Sequence, residues 1–423
     1  MIKIFSFDQT TRIRNALIII ALPLISLTLS APLCALSWTE ATALAEKNNN
    51  QIISAKKQEE SSYWSYNRAM TAFFPQISLS LGGSKTNNPS TATLTRSFSY
   101  GVSASQSLFT GFANLFSLQT AYAQWQQDKA NLDNTRSKVY YDMRSAYISL
   151  LVAQENVELQ KQIVQRRKSN TRMIGLRYNS GIEDKGNYLM TKADEGQSVF
   201  QLDSAKRSVE LARLRLSQIV GTDIATVEDL PLPKSLSGVD YSYLTETSVG
   251  YRIAKYALEI SDIARRNTLS EFLPSVSVSG SLSKSGNTWP PQTDSSTVAL
   301  NMSYPVFPGG SNIADYFINN VNYNKALQDF ENTKKNLRYT IEQTALALND
   351  GIEKHSADVF TASAGLERGK ITQAKYLNGL MTFDAWNRIV NDAVQYQINA
   401  LNSKKALLIA EAAYYNSFGG LIK

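Results

Sequence analysis

From Phe112 to Ile174 the chain contains neither glycine nor proline. A run of 63 residues without a helix breaker is a strong constraint, because as one helix it makes a rod of roughly 95 Å, longer than any compact globule can hold. Its apolar residues fall at Leu115, Leu118, Tyr122, Trp125, Leu132, Val139, Met143, Tyr147, Leu150 and Val157. That is the alternating three- and four-residue spacing of a coiled-coil seam, with polar breaks at Lys129 and Arg136. Leu327, Phe330, Leu337, Ile341, Leu348, Ile352 and Val359 repeat the pattern further on, where Gly351 and Gly365 weaken the helical preference of the lower half.

The repetition extends to the whole chain. FFPQISLS from Phe73 aligns with FLPSVSVS from Phe272 at an offset of 199, and SLFTG ending at Gly111 aligns with PVFPG ending at Gly309 at 198. The offset of 198 also carries Tyr178 onto Tyr376, Gly181 onto Gly379 and Gly221 onto Gly419. The sequence therefore reads as two tandem copies, residues 36–235 and 236–423, joined near Leu230-Pro231-Leu232-Pro233. Each copy is expected to hold a helix, a β-hairpin (76–109 or 275–307), a long helix and a return helix. The opening helices are predicted over Trp38–Ala72 and Tyr241–Glu271, the return helices over Lys185–Val220 and Phe383–Ser417. Short turns at Asn179-Ser180-Gly181 and Asn378-Gly379 make each long helix antiparallel to its return helix.

Between helices the periodicity changes to two. In Phe98-Ser99-Tyr100-Gly101-Val102-Ser103-Ala104-Ser105, bulky or apolar residues alternate with Ser and Gly, and Ile77, Leu79 and Leu81 alternate with Ser78 and Ser80. Val276, Val278 and Leu282 alternate with serines, and Val298, Leu300, Met302, Tyr304 and Val306 alternate with Ala299, Asn301 and Ser303. Four strands of roughly ten residues, apolar on one face and small-polar on the other, fit a transmembrane β-barrel with a wet lumen. A half-buried strand pair on a soluble core is the other source of such alternation; a face of almost uniform Ser and Gly argues for the barrel. Pro75 and Pro274 turn helix into strand, while Gly111 and Gly309 turn strand back into helix. Polar loops are expected over residues 83–96 and 284–296, and Pro305, without an amide donor, belongs at the rim of the sheet. Four strands cannot seal a hydrocarbon-spanning sheet, so the chain must oligomerise, and three copies give a twelve-stranded barrel with a lumen.

Composition excludes other classes. Hydrophobic residues at 43% and charged residues at 19% are incompatible with a disordered chain. One cysteine, Cys34, and one histidine, His355, argue against a zinc centre or a Ser/His/Asp relay. No clustered acid/base pair takes their place, so the chain reads as a non-enzyme without metal or cofactor. His355 reads as a seam or surface residue. Lys3, Arg12 and Arg14 against Asp8 account for +2 of the formal +7, leaving +5 spread over the rest, too dilute for nucleic acid. Arg12 and Arg14 precede an uncharged stretch whose apolar centre is Ala16–Leu29. That order reads as a signal peptide, residues 1–35, cleaved after Ala35. The same residues have two alternative readings, a membrane anchor, against which Pro23 argues, and a lipid acceptor at Cys34, against which Leu33 argues.

Leu36-Ser37-Trp38-Thr39-Glu40-Ala41, the Pro75/Pro274 and Gly111/Gly309 pairs, the RYNSGI stretch from Arg177 to Ile182 and its counterpart YLNGL from Tyr376 to Leu380, taken in duplicated order, resemble the TolC family of outer-membrane efflux and secretion ducts. The resemblance implies a homotrimer whose twelve-stranded outer-membrane β-barrel continues into a twelve-helix coiled-coil α-barrel, in a Gram-negative bacterium, with a long periplasmic extension. It implies a passive exit duct of a tripartite efflux pump or type I secretion system, opened by a periplasmic adaptor and an inner-membrane pump of the RND, MFS or ABC type. Tyr178, Asn179, Ser180, Gly181 and Ile182, with Asn378, Gly379 and Leu380, then occupy the adaptor-docking tip. Each also fits an ordinary helix hairpin with a left-handed glycine cap. The family's gate uses a tyrosine near the second tip and rings of acidic residues. Tyr376 fits, Met381 and Ala385 depart from the pattern, and Glu183, Asp184 and Asp384 stand close enough to supply the charge. The competing function is a trimeric coiled-coil structural or adhesive surface protein without channel activity.

Overall fold

In the computed structural model, which describes residues 35–88 and 93–420, one order of elements occurs twice. Cys34 and the leader lie outside the described residues. The first set comprises α1 (Trp38–Asn48), α2 (Asn50–Met70), a short 3₁₀ turn, β1 (Gln76–Asn88), β2 (Thr93–Thr110), α3 (Ala113–Asn179) and α4 (Lys185–Val220). The second comprises α5 (Tyr241–Thr247), α6 (Val249–Asn267), another 3₁₀ turn, β3 (Ser275–Gly286), β4 (Thr293–Ser303), α7 (Ser311–Leu377) and α8 (Phe383–Ser417). The 67 residues of α3 and of α7 each make about 100 Å of helix. Among the described residues no helix is long and apolar enough to cross a membrane.

Each opening helix is broken where sequence periodicity predicts a single rod. Asn49 and Ser248 adopt extended backbone and cap the helix that follows. The Asn49 carboxamide oxygen accepts from the Gln51 and Ile52 amides, and its nitrogen donates to the Ile219 carbonyl at 2.9 Å, tying the break to α4. Conversely α7 runs unbroken through Gly351 and Gly365. A Cβ on Gly365 would lie 2.6 Å from Tyr396 Cδ2, and one on Gly351 would lie 3.4 Å from Leu407. Close approach of α8 offsets the propensity cost of about 1 kcal/mol that each glycine carries.

The largest core surrounds the middle of α3, where Met143, Tyr147, Ile148 and Leu150 pack with Trp38, Ala41, Ile52, Leu216 and Val220. The Tyr147 hydroxyl donates to the carbonyls of Leu36, at 2.8 Å, and Glu228, at 3.0 Å, which fastens the start of the described chain to the connection between the two sets of elements. Arg144, buried against the Trp38 ring at 4.6 Å, pairs with Glu411 of α8 at 3.3 Å. A smaller core joins Ile341, Ala345 and Leu348 of α7 to Leu407 and Tyr414 of α8.

The four strands form one antiparallel sheet in the order β1-β2-β3-β4, so the β2–β3 pairing links the two sets. Its register aligns Leu79 with Val102 and Leu282, and Ile77 with Ala104 and, through Gly280, Val298. Ser78, Ser103, Ser281 and Thr297 align on the opposite face. A bulge at Leu108 brings Phe109 opposite Val276, keeping an aromatic residue on the apolar face. The strands extend further into the first hairpin than the loop over 83–96 suggests, β2 reaching 18 residues. In the other direction β4 stops at Ser303, two residues before Pro305, so the alternation through Tyr304 and Val306 is not strand.

Each passage from strand to helix uses two consecutive left-handed residues, Gly111 and Phe112 or Gly309 and Gly310. A left-handed phenylalanine is uncommon, and its ring is held edge-on against Phe109 at 5.2 Å. A Cβ on Gly111 would sit 2.6 Å from the Ser270 carbonyl, whereas nothing lies within 4 Å of one on Gly309. Gly309→Ala is therefore expected to cost only the backbone strain of about 1–2 kcal/mol, and Gly111→Ala clearly more. Thermal unfolding of the two variants in detergent checks the order; equal losses would contradict it.

Candidate functional site

The far ends of α3 and α7 finish in two turns of one geometry. After α3, the Gly181 amide donates to the Tyr178 carbonyl and the Ile182 amide to the Arg177 carbonyl. After α7, Gly379 and Leu380 donate in the same way to Tyr376 and Lys375. This double bond pattern requires a left-handed residue between the helix cap and the returning chain. Gly181 at φ +72° and Gly379 at φ +75° supply it, with Ser180 and Asn378 as the caps. Asn179 ends α3 and is exposed, and the apices present apolar side chains to solvent, Ile182 at 64% and Leu380 at 76% exposure.

Equivalent aromatic pairs brace the two turns. Tyr178 stacks on Tyr188 at 5.5 Å, and Tyr376 stacks on Trp386 at 4.9 Å. The second pair is the more buried, enclosed with Ile174 and Phe383. It is also where the two sets of elements meet. The Tyr376 hydroxyl donates to the Glu183 carboxylate, the Arg177 guanidinium lies over the Tyr376 ring at 5.0 Å, and Arg177 Nη1 donates to the Leu377 carbonyl at 3.4 Å. Asn187 Nδ2 donates to the same carboxylate at 2.7 Å.

The electrostatics follow from these contacts. Burial pushes the Glu183 carboxyl up, but hydrogen bonds from Tyr376, Asn187 and the Asp184 amide, with the charge of Arg177, outweigh it and hold the group below the usual carboxylate range. The Tyr376 phenol is pushed well up, first by burial and then by the carboxylate it bonds. Two donors in the cluster, Trp386 Nε1 and Arg177 Nε, are buried with no hydrogen-bond partner among the described residues.

The sequence candidates therefore separate. Tyr376 and Glu183 are brought into direct contact. Asp184 instead caps α4, its side chain accepting from the Asn187 amide at 2.9 Å, a position that Thr382 fills for α8. Asp384 lies exposed in the first turn of α8. Arg177, which opens the RYNSGI stretch, and Trp386 also belong to the cluster; the 198-residue offset from Tyr188 to Trp386 is the one signal pointing to the latter. Pro75, Pro274, Gly111 and Gly309 lie at the other ends of the helices, beside the sheet.

A family sequence model described as outer membrane efflux protein matches residues 42–222. No curated protein sequence matches the chain. Among solved structures, the CmeC outer membrane channel of Campylobacter jejuni aligns with a TM-score of 0.80 at 16% identity, covering 91% of this chain and 86% of that one. The Neisseria gonorrhoeae MtrE outer membrane channel, in its open state, aligns at 0.79 with 18% identity, covering 91% and 89%. The outer membrane protein VceC of Vibrio cholerae aligns at 0.79 with 14% identity, covering 91% and 97%. At these identities the structures speak for the fold. The outer membrane efflux protein model is thus matched within the first set of elements, and the fold of solved outer-membrane channels extends over both sets.

Proposed function

We propose that the chain is the exit duct, in the outer membrane of a Gram-negative bacterium, of a tripartite efflux pump or type I secretion system. One observation carries the reading: an open four-stranded sheet with a bare apolar face and a serine face, joined directly to helices of about 100 Å. Leu79 and Val298 are 80% and 85% exposed, and a contiguous apolar surface of this kind calls for an apolar partner phase. From Phe109 to Phe98 the strand spans about 36 Å, or about 28 Å once tilted by roughly 40°, close to the apolar band of outer-membrane barrels. Aromatic rings mark both ends, Phe98 and Tyr100 against Trp289 at the hairpins and Phe109 against Phe112 at the helices.

The free edges β1 and β4 find partners if neighbouring copies pair them, and three copies supply twelve strands, six long helices and six return helices. The serine face then lines an aqueous lumen, which lowers the cost of moving polar cargo past hydrocarbon. The helical turns form the periplasmic tip, where Ile182 and Leu380 offer apolar contacts to an adaptor, flanked by Tyr178, Asn179, Ser180, Gly181, Asn378 and Gly379. The Tyr376–Glu183 link holds the entrance closed. Its unpartnered buried donors, each costing about 1–3 kcal/mol, regain water when the tip splays. An adaptor and an inner-membrane pump that prefer the splayed state shift the equilibrium without chemistry in this chain.

The duct reading expects detergent-dependent extraction, a heat-modifiable trimer on electrophoresis, and stepwise single-channel conductance in planar bilayers; a stable water-soluble monomer would overturn it. For the gate, the sign follows from the lowered Glu183 pKa: the link is fully formed above the ordinary carboxylate pKa of about 4.3 and is lost as pH falls through the lower folded value. Tyr376→Phe and Glu183→Gln are expected to raise mean conductance at pH 7, the link being worth about 1 kcal/mol after solvent screening. Wild type is expected to approach the variants only below about pH 4. Variants with wild-type conductance at neutral pH would refute the gate assignment.

A further inference from the structure

The strand pairs are almost free of charge. From Phe73 to Gly111 the only charged residues are Lys85 and Arg96, and from Leu273 to Gly310 the only ones are Lys284 and Asp294. Both pairs stand in cross-strand register, Lys85 opposite Arg96 and Lys284 opposite Asp294. They are equivalent in the duplication, Lys85 falling on Lys284 at the offset of 199 and Arg96 on Asp294 at 198. Their chemistry differs. Lys284 and Asp294 form an ion pair at 3.1 Å. Lys85 and Arg96 set two cations directly opposite one another, an arrangement that destabilises a strand pair unless an anion joins it. Both are exposed, neither has an ion-pair partner among the described residues, and the sequence between them contains no acidic residue.

Position identifies the anion. Two-residue alternation puts Lys85 on the face of Leu79 and Leu81, and Arg96 on the face of Phe98, Tyr100 and Val102. The two cations therefore top the apolar face at its hairpin end, about 13 Å along the strand from Leu81 and next to the aromatic cluster of Phe98, Tyr100 and Trp289. On a lipid-facing surface that is the depth of headgroups, with acyl chains against the apolar rows below.

We propose that Lys85 and Arg96 bind the phosphate of an anionic lipid headgroup at the outer rim of the barrel. The inference rests on the barrel reading above. A guanidinium offers a planar fork to two phosphate oxygens and an ammonium a compact charge beside it, so one phosphate removes the repulsion that the fold leaves in place. The second hairpin closes its own charge internally and has no such requirement, which makes it a built-in reference.

The test uses the full detergent-purified trimer, with diphosphoryl lipid A, its dephosphorylated analogue and inorganic phosphate as probes, and native mass spectrometry to count bound lipid. Wild type is expected to retain diphosphoryl lipid A about tenfold more tightly than the Lys85→Thr/Arg96→Thr variant. It should hold the dephosphorylated analogue no better than that variant does. Arg96→Asp, which copies the internal ion pair of the second hairpin, is expected to lose the preference while keeping the heat-modifiable trimer. Equal retention by wild type and the double variant overturns the site, and displacement of the lipid by millimolar inorganic phosphate overturns its assignment to a lipid. A chain that fails to insert into bilayers overturns the barrel reading and this inference together; an inserted trimer indifferent to lipid phosphate overturns this inference alone.

Discussion

Hydrocarbon offers no hydrogen-bond partner to a strand edge, and each amide or carbonyl left there costs several kcal/mol. In the proposed barrel that constraint governs the chain, because its sheet has four strands, two of them edges. β1 carries 13 residues with one side unpaired, too many for the edge to be tolerated within a bilayer. In the proposed duct, assembly is accordingly the completion of the fold, since β1 and β4 obtain their missing partners only from neighbouring copies. The pairing of β2 with β3 has the same logic inside the chain. It fuses the two hairpins into one stave and obliges α3 and α7 to leave the sheet on the same side.

The helices inherit their placement from that sheet, and the transfer is made by very few residues. Two left-handed residues at each strand end reverse the backbone tightly enough for a helix to start within three residues of β2. Proline fixes the incoming side, where Phe74 and Leu273 take the extended conformation that a following proline imposes. Small displacements at these junctions are magnified along 67 residues of helix, which explains why Gly111 lies so close to the Ser270 backbone while the central core binds α1, α3, α4 and α8 together. The Arg144–Glu411 pair and the Tyr147 hydroxyl sit within that central core. It acts as a clamp midway along the rods, whose far ends are joined separately by the Tyr376–Glu183 and Arg177–Leu377 bonds.

Much of this is legible in the sequence because it depends on periodicity and on glycine and proline, which act locally. Alternation marks the strand faces at Ile77, Leu79 and Leu81, and the glycine-free run marks α3. What remains illegible depends on tertiary partners. Asn49 breaks a helix because the Ile219 carbonyl awaits its side chain, and Gly365 fails to break one because Tyr396 fills the space above it. Phe112 is left-handed where sequence alone calls for glycine, and the ring of Phe109 supports it. At the site, Tyr376 and Glu183 are both visible as candidates, but their contact joins residues 193 apart and has no periodic signature.

Duplication sharpens the comparison, since every element has a counterpart under the same mechanical demand. Where the demand is mechanical the two copies agree in role even when residues change. Asp184 and Thr382 both cap return helices, Asn49 and Ser248 both break opening helices, and the Tyr178–Tyr188 stack repeats as Tyr376–Trp386. They disagree where equivalent positions differ in charge. Glu183 corresponds to Met381 at the offset of 198, and Arg96 to Asp294. The Glu183 carboxylate bonds Asn187 of its own copy but does not stop there. Glu183 reaches across to the tyrosine of the other copy, and Arg96 adds repulsion to its own hairpin. In the proposed duct these positions fall at the periplasmic tip and at the outer rim, the two places that call for a partner beyond this chain's own fold.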